Sequence, residues 1–314
     1  MRILIVGFGD VAARLAPLLA KRFRLYGLIR DPAKADRLRT LGVVPLIGDL
    51  DDRATLARAA ALADCVIHLA PPPAHLRVDT RTRNLLAALS KTPSGREYSH
   101  GVRSRRLVYL STTGVYGDCG GEWVTEARPL RPTNDRAKRR VDAERALRRW
   151  MRSAPAMRSQ CVLRAPGIYA KDRLPLARLT AGTPALRADE DSYSNHIHAD
   201  DLARATVAAL FRGSNGRNYH CCDDAPLRMG HYFDLVADRF GLPRPRRISR
   251  GEAEKTLPPA LLSFLRESRR LSNRRLKDEL GVRLAFPTVA DLLAGLSCAE
   301  VAEALSARGD TRPR

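Results

Sequence analysis

The segment Arg2-Ile3-Leu4-Ile5-Val6-Gly7-Phe8-Gly9-Asp10-Val11-Ala12 joins a short apolar run to a turn with two glycines and then to an apolar helical pattern. Arg2 to Val6 is almost continuously hydrophobic, as a strand is when helices cover both faces of a parallel sheet. From Val11 to Arg22, the residues Val11, Leu15, Leu18 and Leu19 fall on one side of a helix, and Arg24 to Ile29 reads as the next strand. These pieces make one βαβ unit. Gly7-x-Gly9-x-x-Ala12 therefore lies between a strand and a helix, the setting in which this spacing holds the pyrophosphate of a dinucleotide. Gly7 permits the tight turn, Gly9 lets the backbone approach phosphate without a Cβ, and Ala12 keeps the helix against the strand. Phe8, Asp10 and Val11 complete the turn, where free helix amides offer partial positive charge.

Outward from this unit the alternation continues. The pattern predicts helices over 33–41, 52–62 and 77–90, and strands over 43–47, 65–69 and 106–110. Such a rhythm implies an α/β fold, a doubly wound parallel sheet of Rossmann type with right-handed crossovers. Between the last of these helices and strands, 91–104 reads as a polar surface loop carrying Pro93, Gly95 and Gly101. A polar loop over 117–132 leads to a charged helix over 134–151 and a strand over 161–164. Beyond Pro166 the alternation loosens into turn formers over 174–184, a helix over 201–211, a short strand over 218–221, and helical pieces separated by Gly and Pro. The expected organisation is a dinucleotide-binding domain over 1–166, completed by about 195–222, with a smaller, mostly helical C-terminal substrate lobe built from 167–194 and 223–314.

The 314 residues are long enough for one large domain or two modest ones, and 44% hydrophobic with 28% charged residues is the balance of a soluble globular chain. No apolar run approaches the roughly 18 residues that span a bilayer, so no membrane association is expected and cytoplasm is the expected compartment. Six cysteines without a Cys-x-x-Cys spacing read as reduced, mostly buried thiols. The net charge of +21 invites a nucleic-acid reading, but only seven of the 55 basic residues are lysine and the arginines run from Arg2 to Arg314. A dispersed basic surface of this kind speaks for solvation, or for attraction of a small anion, over a dedicated nucleic-acid site.

Residues at the carboxyl ends of the strands carry the expected cofactor site. At Leu28-Ile29-Arg30-Asp31, Arg30 favours the 2'-phosphate of NADP, whereas Asp31 would take the ribose hydroxyls of NAD if the strand ends one residue later. Asp49, before Leu50, either accepts from an adenine amino group or caps the helix near Asp52. Leu69, Ala70 and Pro71 are small or rigid enough to let the cofactor backbone pass. His196-x-His198 has the period that puts both rings on one strand face, but no third ligand accompanies the pair, and no metal site is expected. Carboxylates such as Asp200 and Asp201 can cap a helix start and meet its dipole.

The fifth strand runs into Ser111-Thr112-Thr113-Gly114-Val115-Tyr116-Gly117, and with Leu163-Arg164-Ala165-Pro166-Gly167 and His196-Ile197-His198-Ala199-Asp200-Asp201 the chain resembles the extended short-chain dehydrogenase/reductase family over nearly its whole length. That family includes nucleotide-sugar epimerases and dehydratases. The resemblance implies that the Thr112 hydroxyl meets the reacting oxygen of a small polar, sugar-nucleotide-like substrate, with Ser111 and Thr113 as weaker candidates, that Pro166 lies at the nicotinamide end, and that the chain forms a homodimer. It also implies Tyr-x-x-x-Lys on the helix over 134–151, and no tyrosine is there. Aligning Glu144 with the family's acid puts Arg136 and Arg140 at the two positions; a shift by two puts Asn134 and Lys138 there. Arg140 or Lys138 would then hold ribose or an anionic substrate, and Tyr116 is a substitute acid in place of its usual part in supporting the turn. The departure resembles atypical members of the family. Two functions follow: an NAD(P)-dependent oxidoreductase or epimerase/dehydratase-like enzyme, or a cofactor-binding sensor or scaffold that has lost turnover.

Overall fold

The computed structural model describes residues 1–91 and 104–306; the loop expected over 91–104 lies almost wholly outside them. Seven parallel strands form the main sheet: β1 (Arg2–Val6), β2 (Arg24–Ile29), β3 (Val43–Ile47), β4 (Cys65–His68), β5 (Arg105–Thr112), β6 (Arg158–Ala165) and β7 (Asn218–His220). Their order across the sheet is β7-β6-β5-β4-β1-β2-β3. The connection out of β1 turns one way to β2 and the chain later returns to the other side of β1 as β4, so the direction of winding reverses between these two neighbours.

Alternation along β1 explains the two layers of helices. Ile3 and Ile5 pack with α1 (Asp10–Ala20), with Leu38 of α2 (Ala35–Thr40) and with the helix Ala199–Arg212. Leu4 and Val6 point the other way, onto α3 (Ala57–Leu62), α4 (Thr80–Lys91) and α5 (Asp135–Arg152). Both faces are thus apolar, which is why the strand reads as an unbroken hydrophobic run. Two of the expected helices begin as tight 3-10 turns, at Pro32–Lys34 and Arg53–Leu56, with Asp31 and Asp52 accepting from the amides of Ala33 and Ala54. Pro32 suits the first position of such a turn because its missing N–H has no partner to lose.

Residues beyond β6 gather into further cores. Tyr169, Leu176 and Leu179 pack with Phe233, Val236, Val289 and Leu292. Leu176 and Leu179 come from α6 (Leu176–Thr180), where the sequence suggests only turns, Phe233 and Val236 from α8 (Met229–Arg239), and Val289 and Leu292 from the helix Val289–Gly295, while α7 is the helix Ala199–Arg212 already met. A smaller cluster joins α9 (Arg250–Thr256) and α10 (Pro259–Leu265). Four two-stranded pairs also tie this region together, among them Gly167–Tyr169 with His196–His198 and Trp123–Val124 with Arg270–Leu271. Pieces of two or three residues carry no readable period.

Beneath the end of β5 lies a buried polar network. The Arg164 guanidinium on β6 forms a two-point ion pair with Glu144 of α5, at 2.7 Å and 3.1 Å, and both side chains are 1% exposed. Ser111 donates to Glu144 Oε1 at 2.7 Å, and Arg164 also donates to the Tyr116 hydroxyl. His220 Nδ1 faces the Ser272 carbonyl, so its Nε2 is the acceptor for the Tyr116 O–H at 2.5 Å. Burial holds His220 neutral, its pKa brought down to about 3. The group locks β5, β6, β7 and α5 in one arrangement. Truncating Glu144→Ala leaves the Arg164 charge buried without a partner, and urea unfolding is expected to show a loss of about 3–5 kcal/mol, whereas the paired change Glu144→Leu with Arg164→Leu recovers most of it.

Candidate functional site

Two clefts of about 620 Å³ each open at the carboxyl edge of the sheet. Leu110, Arg140, Ile168 and Arg173 line both, so the clefts run into one another. The first begins where β1 ends. Gly7 has φ of +87°, and a Cβ on it would stand 2.4 Å from the Ala70 nitrogen, so the β1 turn and the end of β4 can touch only because this residue is glycine. Gly9 is the opposite case: a Cβ there meets nothing within 4 Å. It is the N-cap of α1 and has no side chain to satisfy the first amides of the helix, which remain turned to the cleft. An open, uncapped helix start beside two glycines fits a dinucleotide pyrophosphate.

The other expected cofactor residues gather around this start. Phe8, Asp10, Val11, Arg30, Asp49, Leu50, Leu69, Ala70, Pro71 and Arg140 all line the first cleft. At its far end Arg30 is exposed and makes no hydrogen bond or ion pair with the described residues, while Asp31 uses one oxygen on the Ala33 amide at 3.0 Å. Asp49 does not cap the 3-10 turn at Arg53; Asp52 does, and Asp49 accepts from the Asp51 amide. Two residues there carry no motif in the sequence. Lys34 lines the cleft four positions after Arg30, and Arg81 reaches it from α4 while held by Asp51 at 2.6 Å.

Asp10 faces the cleft with its charge already engaged. Arg14, one turn on, holds it at 3.0 Å, and Arg173 reaches it from beyond β6 at 3.0 Å. Arg14 also pairs with Asp172 and Asp200, so an ionic chain crosses from the glycine turn to the residues after β6.

The second cleft holds the expected chemistry. Thr112 ends β5 half-buried in its wall; its Oγ1 accepts from the Gly114 amide at 3.3 Å, which leaves the hydroxyl proton for another acceptor. Pro166 lines the same wall. Ser111 also borders it, but its proton is committed to Glu144. Tyr116 is 1% exposed, lines neither cleft, and has its O–H given to His220; burial pushes it up to about 12. Tyr116, outside both clefts, thus supports the turn after β5 and is not placed to be a substitute acid, while Ser111 borders the second cleft without a free proton.

On α5 the two sequence registers separate. Arg136 and Arg140 line the second cleft, whereas Lys138 lies outside it and pairs with Asp135. Asn134 is at the cleft too, but its side chain is the N-cap of α5 and accepts from Ala137. Arg140 Nη1 is fixed by the Leu110 carbonyl at 2.9 Å and the Tyr109 hydroxyl at 2.8 Å. His196 and His198 do share a face, both packing edge-on to Tyr169. His198 Nδ1 accepts from the Asp200 amide and so caps α7, a task the sequence reading assigned to the aspartates. Asp201 turns inward to the amides of Ala285 and Phe286.

The model of the NAD dependent epimerase/dehydratase family matches residues 3–222. The chain belongs to this family. Within curated proteins it is 25% identical over 256 residues to the 4-hydroxy-2-methyl-3-oxo-4-farnesyl-3,4-dihydroquinoline-1-oxide ketoreductase of Stigmatella aurantiaca, covering 77% of this chain and 74% of that protein. It is 27% identical over 304 residues to the 3-diazoavenalumate denitrifying reductase of a Streptomyces species, covering 93% and 98%. Its fold matches that of the dTDP-glucose 4,6-dehydratase DesIV from Streptomyces venezuelae, solved with NAD bound, with a TM-score of 0.75 at 22% identity over 98% of each chain. A Rossmann fold of the NAD dependent epimerase/dehydratase family is what the family match and the fold likeness give. Of the described residues, no helix is long and apolar enough to cross a membrane, and five of the six cysteines are buried and unpaired, with Cys298 exposed.

The two glycines predict different outcomes. Gly7→Ala forces a Cβ into Ala70 at a backbone angle that L-residues avoid, and is expected to lower the melting temperature as well as cofactor binding. Gly9→Ala is expected to melt as the parent does while NADH and NADPH affinities fall about tenfold or more by fluorescence titration, since its Cβ occupies only the space of the phosphates.

Proposed function

We propose that the protein is an NADP-preferring oxidoreductase, or an epimerase/dehydratase-like enzyme using the same hydride chemistry, that acts on a small polar, sugar-nucleotide-like substrate in the second cleft. The observation that carries this is the continuity of the clefts at Leu110 and Arg140, with the Thr112 hydroxyl just beyond the junction. When bound, the nicotinamide supplies or accepts a hydride. Gly7, Gly9 and the start of α1 hold the pyrophosphate, and Arg140 borders the passage between cofactor and substrate. Thr112 donates its free proton in a hydrogen bond to the reacting oxygen, polarising a carbonyl without itself being ionised. Both curated relatives described above, matched over 77% and 93% of this chain, are reductases by name, which supports reduction over epimerisation.

NADP is favoured over NAD by the unpaired Arg30 with Lys34 beside it, while Asp31 is partly engaged in capping. Homodimer formation and a cytoplasmic location accompany this reading as proposals. A second reading, a cofactor-binding sensor with little turnover, is favoured by one specific feature: α5 presents arginines to the cleft and contains no tyrosine. Arginine stays protonated and cannot shuttle a proton.

Consumption of NADPH, followed at its absorbance with a panel of aldehydes, ketones and dTDP- or UDP-4-keto sugars, separates the two. Turnover supports the enzyme, and Thr112→Val is expected to lower kcat about 100-fold with little change in NADPH affinity. Tight NADPH binding with no consumption across the panel supports the sensor. Arg30→Ala is expected to weaken NADPH by roughly 10- to 100-fold while leaving NADH within about twofold; equal loss for both cofactors would remove the NADP assignment.

A further inference from the structure

Four arginines and one carboxylate line the second cleft, and their pairing is uneven. Arg269 is neutralised by Glu267 at 2.9 Å, and Arg173 by Asp10. Arg140 is held by carbonyls and a phenol, with no carboxylate in salt-bridge range. Arg136 makes no hydrogen bond or ion pair with the described residues. Its guanidinium lies 4.8 Å from the centre of the Phe264 ring, a large apolar side chain left 45% exposed at the cleft.

This arrangement is unfavourable for the protein alone. Arg136 and Arg140 are like charges one turn apart on α5, where such pairs repel. Arg136 also stands in the first turn of that helix, the end at which the dipole disfavours a cation. Burial, Arg140 and Arg139 work against its charge, and Glu267, itself shared among Thr133, Asn134 and Arg269, opposes them. A cation kept under these conditions over an aromatic ring, with its N–H donors unused among the described residues, is prepared for a planar or multi-oxygen anion.

We infer that Arg136, with Arg140 adding charge behind it, is an oxyanion clamp in the substrate cleft: the substrate carries a carboxylate or phosphate that Arg136 grips and an apolar or planar portion that lies along Phe264. The inference rests on the second cleft being the substrate site. It makes Arg136 a binding and specificity residue at the position where the family resemblance expects a proton-transferring tyrosine.

Benzoate, phenyl phosphate and the neutral benzyl alcohol are titrated by calorimetry in phosphate-free buffer, with the protein alone and saturated with NADPH, for the parent, Arg136→Lys and Arg136→Met. The parent is expected to bind at least one anion saturably and benzyl alcohol far more weakly. Arg136→Met is expected to lose roughly 10- to 100-fold in anion affinity, and Arg136→Lys to lose less, with NADPH affinity unchanged within about twofold. Benzoate alone would identify a carboxylate substrate, phenyl phosphate alone a phosphorylated one. Equal binding of benzyl alcohol, no anion binding, or full affinity in Arg136→Met overturns the clamp. Shifts of the Arg136 Nε–H and Phe264 ring signals on adding benzoate to the parent test the same contact without any variant. NADPH binding in the same samples reads the nicotinamide assignment separately, so either idea can fail alone.

Discussion

The close approach of Gly7 to Ala70 sets the geometry on which the rest depends. β1 and β4 are neighbours whose following chains leave the sheet in different directions, so a crevice opens between them at the carboxyl edge. A side chain at Gly7 would hold the two ends apart. Without that contact the start of α1 would not face the crevice, and the amides left free by Gly9 would point at nothing useful. The cofactor site is therefore a property of one missing Cβ and the sheet order together.

The buried network below Thr112 does a related job on the substrate side. Arg164, Glu144, Ser111, Tyr116 and His220 come from three strands, one helix and the turn after β5, and each polar atom that meets the network has a definite direction of donation. Such a cluster adds little net stability compared with an apolar core of the same shape, but it penalises every arrangement in which one member is displaced. Its effect is to hold the Thr112 hydroxyl, which keeps its proton available, at a fixed place in the cleft wall.

Much of this was legible from the residues alone, for identifiable reasons. The five leading strands are apolar on both faces and separated by helices of ordinary length, so their sequence has strong contrast, and the glycine turn falls where its context gives it meaning. The lining of the first cleft was legible because it follows strand ends. What could not be read depends on distance in three dimensions. Arg173 meets Asp10 across 163 positions of chain, and Arg81 meets Asp51 across 30. Lys34 was within reach of a helical-spacing argument from Arg30, but a lone lysine in a polar turn has no signature. On α5 both registers were consistent with the sequence, and only the direction in which the helix packs separates Arg136 and Arg140 from Lys138. The short paired strands after β6 are too brief for any periodicity to develop.

The ionic chain from Asp10 to Arg173 gives the two clefts a common, charged wall. Asp10 is an acid at the glycine turn, and Arg14 and Arg173 both pair with it. A phosphate-bearing ligand at this turn would compete with the part-exposed Asp10 carboxylate for Arg173, a pairing worth at most about 1 kcal/mol. Arg173 borders both clefts, so the ion pair that steadies Asp10 at the glycine turn also forms part of the wall of the second cleft. A change of charge at one cleft therefore reaches the other through a single side chain.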